Sequence, residues 1–427
     1  MSTQQTSSDV VIVGGGLVGL SAAFQCASAG AKVTCLDQHQ FGVHQSMQNW
    51  GFARQQGRGP VELPMMKIAN RMWRRLSDDL GADVGWVEGG NLAVYDTAQE
   101  EESYRAWLEH GRAQGVDSTF VTLDDVRQLI PAWRRPIRGG LYAASDGHAD
   151  PQKVVRAYIA ACEHAGVQLV ARASVTNLVR RGDRLIGART ADQLFTADHV
   201  VVAAGAWSRK LLATAGIEFP QNYVVGTVSL TSALPPVTAA TVWGPGFSFR
   251  QRADGRFVCA LGGGGRVSVG VDTVAQVPKF FGAFRKNRKR FSLRPGRQIP
   301  AELKAMVRGG KAREVGPPNA RVDRAQPGRA LQRLQQTIAG LEAAVVEESW
   351  AGVIDSTPDA LPVIDGDVGV GGLILATGFS GHGYGLTPAV GHVVASIVEE
   401  KPPICDLSLM RFSRFTSGDF AAPDAIL

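Results

Sequence analysis

The stretch "DVVIVGGGLVGLSAAFQCASAGAKVTCLDQ" constrains the fold of this chain more than any other. Val10 to Val13 is a short β-branched run, the composition of a strand buried on both faces. Gly14, Gly16 and Gly19 follow as GxGxxG. Leu20 to Ala29 has helix-compatible composition, and Gly30 stops it. Val33 to Leu36 reads as the next strand, and Asp37 closes it. Each part has a job in dinucleotide binding. Glycines let backbone N–H groups approach a pyrophosphate at a helix N-terminus, where the helix dipole favours negative charge. An acidic residue about 20 positions further on accepts hydrogen bonds from ribose hydroxyls. A lone GxGxxG is a weak signal; here the strand, the helix and the acid accompany it. The fingerprint by itself admits NAD as well as FAD.

A second glycine cluster stands in "ATGFSGHGYGLTP", residues 376–388. Gly378, Gly381, Gly383 and Gly385 precede a helix-like run from Ala389 to Glu399. Glycine there means positive φ or backbone pressed against something. The apolar strand in "GGLILATG" leads into it. Between the two glycine clusters the α/β pattern breaks off and returns. A helix is predicted from Pro151 to Ala165, then strands at Val167–Val170, Val175–Val179 and His199–Ala203, the last ending in "AAGAWS". Residues 84–95 and 223–265 are strand-like and turn-rich, and residues 308–330 read as a Gly, Pro and Arg-rich loop. We therefore expect a discontinuous nucleotide domain (1–50, 146–216 and 345–427). A largely antiparallel substrate domain (51–145 and 217–344) is inserted into it.

Composition narrows the class. Apolar content of 44% and charged content of 20% are those of a soluble globular protein. A net charge of +6 over 427 residues is no nucleic-acid signature. The five cysteines are scattered without a CxxC pair, so no metal site or disulfide framework follows, and a reducing, cytoplasmic setting is expected. The N-terminal "MSTQQTSSD" has no signal-peptide features.

The fingerprint, "AAGAWS" at 203–208, "WAGVIDSTPDALPVI" at 350–364 and "ATGFSGHGYGLTP" appear in that order. Together they resemble the D-amino-acid oxidase superfamily of FAD enzymes, over nearly the whole chain. That group includes sarcosine and glycine oxidases, D-amino-acid dehydrogenases and, nearest in feel, bacterial L-amino-acid deaminases. The resemblance implies a two-domain FAD oxidoreductase with a Rossmann-like FAD domain and an inserted antiparallel β-sheet domain with flanking helices. It implies hydride transfer from the substrate α-carbon to flavin N5 and hydrolysis of the resulting imine to a keto acid. Gly14, Gly16, Leu17, Val18, Gly19, Asp37, Gln38, Ser46, Val175, Ala204, Gly205 and Trp207 would hold the cofactor. Gly378, Gly381, His382, Gly383, Tyr384, Gly385 and Leu386 would lie beside the flavin ring, with His382 positioning the flavin rather than acting as a base.

The departures from the family are informative. Where D-amino-acid dehydrogenases carry an arginine, this chain has Ile354 followed by Asp355. The substrate carboxylate then needs another cation, and a guanidinium fork suits it. Arg250 in "FSFRQRADGRF" and Arg54 in "NWGFARQQGR" are the candidates, with Arg252 and Arg58 as alternatives of register. Some sarcosine oxidases attach FAD through a cysteine at the position of Gly352, so FAD is expected to be non-covalent. Oxidases of that branch use a lysine over the flavin, and residues 211–278 contain none, which favours a dehydrogenase that passes electrons to a quinone or respiratory carrier. The basic, phenylalanine-rich segment 278–297 is either a solvated surface or a contact with the inner face of a membrane. Two alternatives stay open: an N-methyl, cyclic or opine-type substrate, or a flavin subunit of an electron-relay complex.

Overall fold

The computed structural model describes residues 4–262, 265–287, 291–420 and 423. A six-stranded sheet runs in the order 363–365, 373–377, 199–202, 10–13, 33–36, 168–170. All neighbours are parallel except the first pair. The strand Val10–Val13 shows why its residues are all apolar. Val10 and Ile12 pack under helices Leu17–Ser28, Pro151–His164 and Gly383–Val398. Val11 and Val13 pack on the opposite face with Leu178, Leu185, Phe195 and helix Ser208–Ala213. Both faces are covered, so alternation is replaced by a continuous apolar run.

The second sheet has ten strands and is mostly antiparallel. Its spine is the long strand Asn222–Ala233, which pairs with Arg256–Ala260 and Gly265–Val269, and with Val346–Ser356 from Asn222↔Ser356 to Thr231↔Val346. The chain 346–356, which the sequence division gives to the nucleotide domain, therefore belongs to the large sheet. It returns to the nucleotide sheet only after Ser356.

Three local expectations shift. The last helix begins at Gly383, not Ala389, so Gly383 and Gly385 fall in its first turn, Gly378 and Gly381 precede it, and Pro388 lies inside it. Each glycine in a helix costs about 1 kcal/mol relative to alanine, and close packing offsets that. A Cβ at Gly385 would stand 3.1 Å from Met66 Sδ, and one at Gly391 would stand 2.3 Å from Ser21 Oγ. Trp73 Nε1 and Ser21 Oγ donate to the carbonyls of Gly385 and Thr387. The strand expected at Val175–Val179 occupies Asn177–Arg181, and the loop expected over 308–330 gives way to helix Gln326–Thr337. In the basic segment, helix Val277–Asn287 and strand Phe291–Pro295 form, while residues 288–290 lie outside the described residues.

Candidate active site

A cavity of about 450 Å³ lies between the two sheets. Its nucleotide side is built by the fingerprint. Gly14 has φ +113°, and a Cβ there would stand 2.3 Å from Ala203 O; one at Gly19 would stand 1.8 Å from Gly14 O. Only glycine permits strand, turn and helix to close this tightly. Ser46 Oγ accepts from the Leu17 N–H at 2.9 Å, and Asp37 accepts from the Gly15 and His39 N–H groups, both at 2.8 Å. Asp37 thus fixes the turn and still faces the cavity.

The opposite side is chemically different. Trp50, Phe52 and Trp243 form an aromatic wall, with Trp50 5.8 Å from Phe52 and 5.5 Å from Trp243 between ring centroids. The Arg54 guanidinium sits 5.3 Å from the Trp243 centroid. Arg58 also lines the cavity, and its Nε donates to Arg54 O at 3.3 Å. Burial and the adjacent Arg58 bring the Arg54 pKa down to about 9, against the opposing pull of Asp146 and Glu62. Asp146 holds the chain between the two arginines, accepting from Gln55 N at 2.7 Å and Gln56 N at 3.1 Å. Its own burial pushes its pKa up to about 6.

The sequence matches the DAO family, described as FAD dependent oxidoreductase, over residues 9–397. The chain belongs to this family. It is 24% identical over 412 residues to 4-methylaminobutanoate oxidase (formaldehyde-forming) of Paenarthrobacter nicotinovorans, covering 95% of this chain and 45% of that protein. It is 23% identical to sarcosine oxidase subunit beta of Rhizobium meliloti, covering 96% and 89%. The chain thus spans under half the length of the first of these relatives. Its fold is that of L-amino acid deaminase from Proteus myxofaciens solved with anthranilate, with a TM-score of 0.86, 21% identity and coverage of 97% and 94%.

FAD, the family's cofactor, fits this cavity. The glycine turn presents bare backbone to it, and three buried polar atoms on residues of its wall have no hydrogen-bond partner among the described residues: His44 Nε2, Arg58 Nη1 and Tyr384 Oη. Gly14, Gly16, Leu17, Val18, Asp37, Gln38, Ser46, Val175, Ala204, Gly205 and Trp207 all line it, as do Gly381, His382, Gly383 and Tyr384. Gly19, Gly378, Gly385 and Leu386 do not. Gly19 packs on Gly14, Gly378 on Thr357, and Gly385 on Met66, while Leu386 is core.

Arg250 is also placed differently from expectation. It is absent from the cavity wall; its Nε donates to the Trp50 carbonyl from behind the aromatic wall, and it is 2% exposed. Arg252 pairs with Asp150 at 3.4 Å. Of the four candidates, the structure brings Arg54 and Arg58 to the cavity. Sequence reasoning missed Glu62, which holds His382, and Gln45, which donates to Asp355 at 2.7 Å. It also missed Lys210, a cavity lysine one residue outside the lysine-free window, beside Trp207. Nothing in their local sequence distinguishes them from surface polar residues. None of the five cysteines lines the cavity, and no group of three or more His, Cys, Asp or Glu able to hold a metal occurs among the described residues.

Proposed function

We propose that this protein oxidises the C–N bond of a small amino acid bearing a free carboxylate, as a dehydrogenase with non-covalently held FAD. The observation that carries the reading is one cavity walled by a dinucleotide cradle on one side and by buried Arg54 and Arg58 with an aromatic surface on the other. When bound, FAD supplies the hydride acceptor. The protein's residues supply the rest. Arg54 and Arg58 bind the carboxylate and fix the α-carbon. Trp50, Phe52 and Trp243 exclude water and accept apolar or N-methyl groups of the substrate, and this favours oxidation of a secondary amine as the second reading. An imine released from the site hydrolyses in water.

The dehydrogenase assignment is supported by the place of Lys210, beside Trp207 on the nucleotide side rather than at the aromatic wall. A quinone-type acceptor at a membrane surface is supported by the exposed apolar and basic residues around helix Val277–Asn287. Acid precipitation of the yellow protein is expected to release intact FAD into the supernatant. Flavin retained in the pellet contradicts the non-covalent assignment, and a colourless protein that takes up no FAD contradicts the whole reading.

A further inference from the structure

Two helix N-termini meet beside the cavity, one of them in its wall. His382 is the N-cap residue of Gly383–Val398 and Glu62 that of Leu63–Trp73. His382 Nδ1 lies 3.1 Å from Glu62 Oε1 and 2.9 Å from Oε2, with both side chains buried. Arg58 Nη1 is 3.6 Å from Glu62 Oε2. Burial works to raise the Glu62 pKa, but His382, Arg58 and Arg54 together hold it below its ordinary value. An ionised carboxylate only accepts, so the proton between the two side chains belongs to Nδ1. Burial, then Arg58, hold the imidazole pKa below its ordinary value, against the pull of Glu62. The ring is neutral at pH 7. Its Nε2 therefore carries a lone pair; the ring's one side-chain hydrogen bond among the described residues is made by Nδ1, and His382 is a residue of the cavity wall.

Resting on the functional reading above, we propose that His382 Nε2 takes the proton from the substrate's ammonium group, with Glu62 as its positioning residue. A carboxylate on Arg58 brings the attached α-amino group to this end of the cavity, since Arg58 and His382 meet the same carboxylate oxygen, Glu62 Oε2, at 3.6 and 2.9 Å. In the step, one N–H bond of the ammonium breaks and an Nε2–H bond forms. The electron pair stays on the amine nitrogen, and Glu62 offsets the new imidazolium charge. No net charge is created in the site. The charged groups facing the imidazole are Glu62, Arg58 and Arg54.

Two measurements on the FAD-loaded enzyme test this. Nitrogen NMR of histidine-labelled protein, with the His382 signal assigned by its loss in His382→Gln, is expected to show the Nδ1–H tautomer at pH 7. Glu62→Gln is expected to mix the tautomers. Anaerobic flavin reduction by saturating amino acid, with the rate taken on the FAD-loaded fraction, is expected to slow by at least about 100-fold in His382→Gln, the scale of general-base catalysis, with the acid limb of the pH profile gone. Glu62→Gln keeps the shape without the charge, so its acid limb is expected to move to lower pH. An Nε2–H tautomer in the wild type, or a His382→Gln enzyme with wild-type rate and pH profile, overturns the proposal. A wild-type flavin that no amino acid reduces overturns the functional reading, and the base with it.

Discussion

At the residue scale the proposed chemistry turns on which arginine reaches the cavity. Arg54 and Arg250 look alike in the sequence, each an arginine beside aromatics. Their difference is tertiary. Phe249 and Arg250 alternate across strand Phe247–Gln251, so Phe249 enters the core with Phe257 while Arg250 turns back under Trp50. Arg54 instead follows the short strand Phe52–Ala53 and is set against the cavity by Asp146. Removing Arg54 from a desolvated pair with a substrate carboxylate should cost about 2–5 kcal/mol in kcat/KM. Arg250→Met should leave the Trp50 carbonyl unpaired and cost about 1–3 kcal/mol of folding stability, with a smaller kinetic effect. Steady-state kinetics and denaturant melts of Arg54→Met and Arg250→Met check the order. Activity that survives at Arg54 and vanishes at Arg250, with stability intact, contradicts this assignment.

At the scale of elements, the fingerprint was legible because each of its demands is local: β-branched strand, glycine turn, short helix, acid. The start of the last helix was not. Glycine and proline argue against a helix in isolation, and only the contacts with Met66, Trp73 and Ser21 show why the first turn tolerates them. Helix Val277–Asn287 poses the opposite case, a regular element whose apolar residues lack cover. Val277, Phe281 and Phe284 are 49%, 58% and 41% exposed, and Val307 on helix Ile299–Val307 is 88% exposed. Exposed Arg285, Lys286, Lys304 and Arg308 accompany them. No helix among the described residues is long and apolar enough to cross a membrane. Such a surface suits the interface of an anionic bilayer. Co-sedimentation with vesicles containing anionic lipid is expected for the wild type and is expected to fall in Phe281→Ser/Phe284→Ser, with turnover of a soluble acceptor unchanged. Equal binding by both proteins contradicts a membrane role for this helix.

At the scale of the whole molecule, two sheets share one cavity because the chain crosses between them repeatedly. The crossing at Val346–Ser356 joins strands far apart in sequence, so no local pattern revealed which sheet it enters. It carries Gly352, Ile354 and Asp355 to the cavity wall from the large sheet. Asp355 is held there by Gln45 at 2.7 Å and Gln221 at 3.2 Å, which ties the two domains together at the site. The glycine clusters, the order of the motifs and the family resemblance were readable; the choice among arginines and the partner of His382 were products of this non-local packing. The most direct measurement is anaerobic mixing of the FAD-loaded protein with a panel of α-amino acids and their N-methyl derivatives, followed by the visible absorbance of the flavin. At least one carboxylate-bearing amine is expected to bleach the flavin fully, and the same molecule lacking its carboxylate is expected to fail. A flavin bleached equally well by amines without a carboxylate, or by none of the panel, contradicts the account.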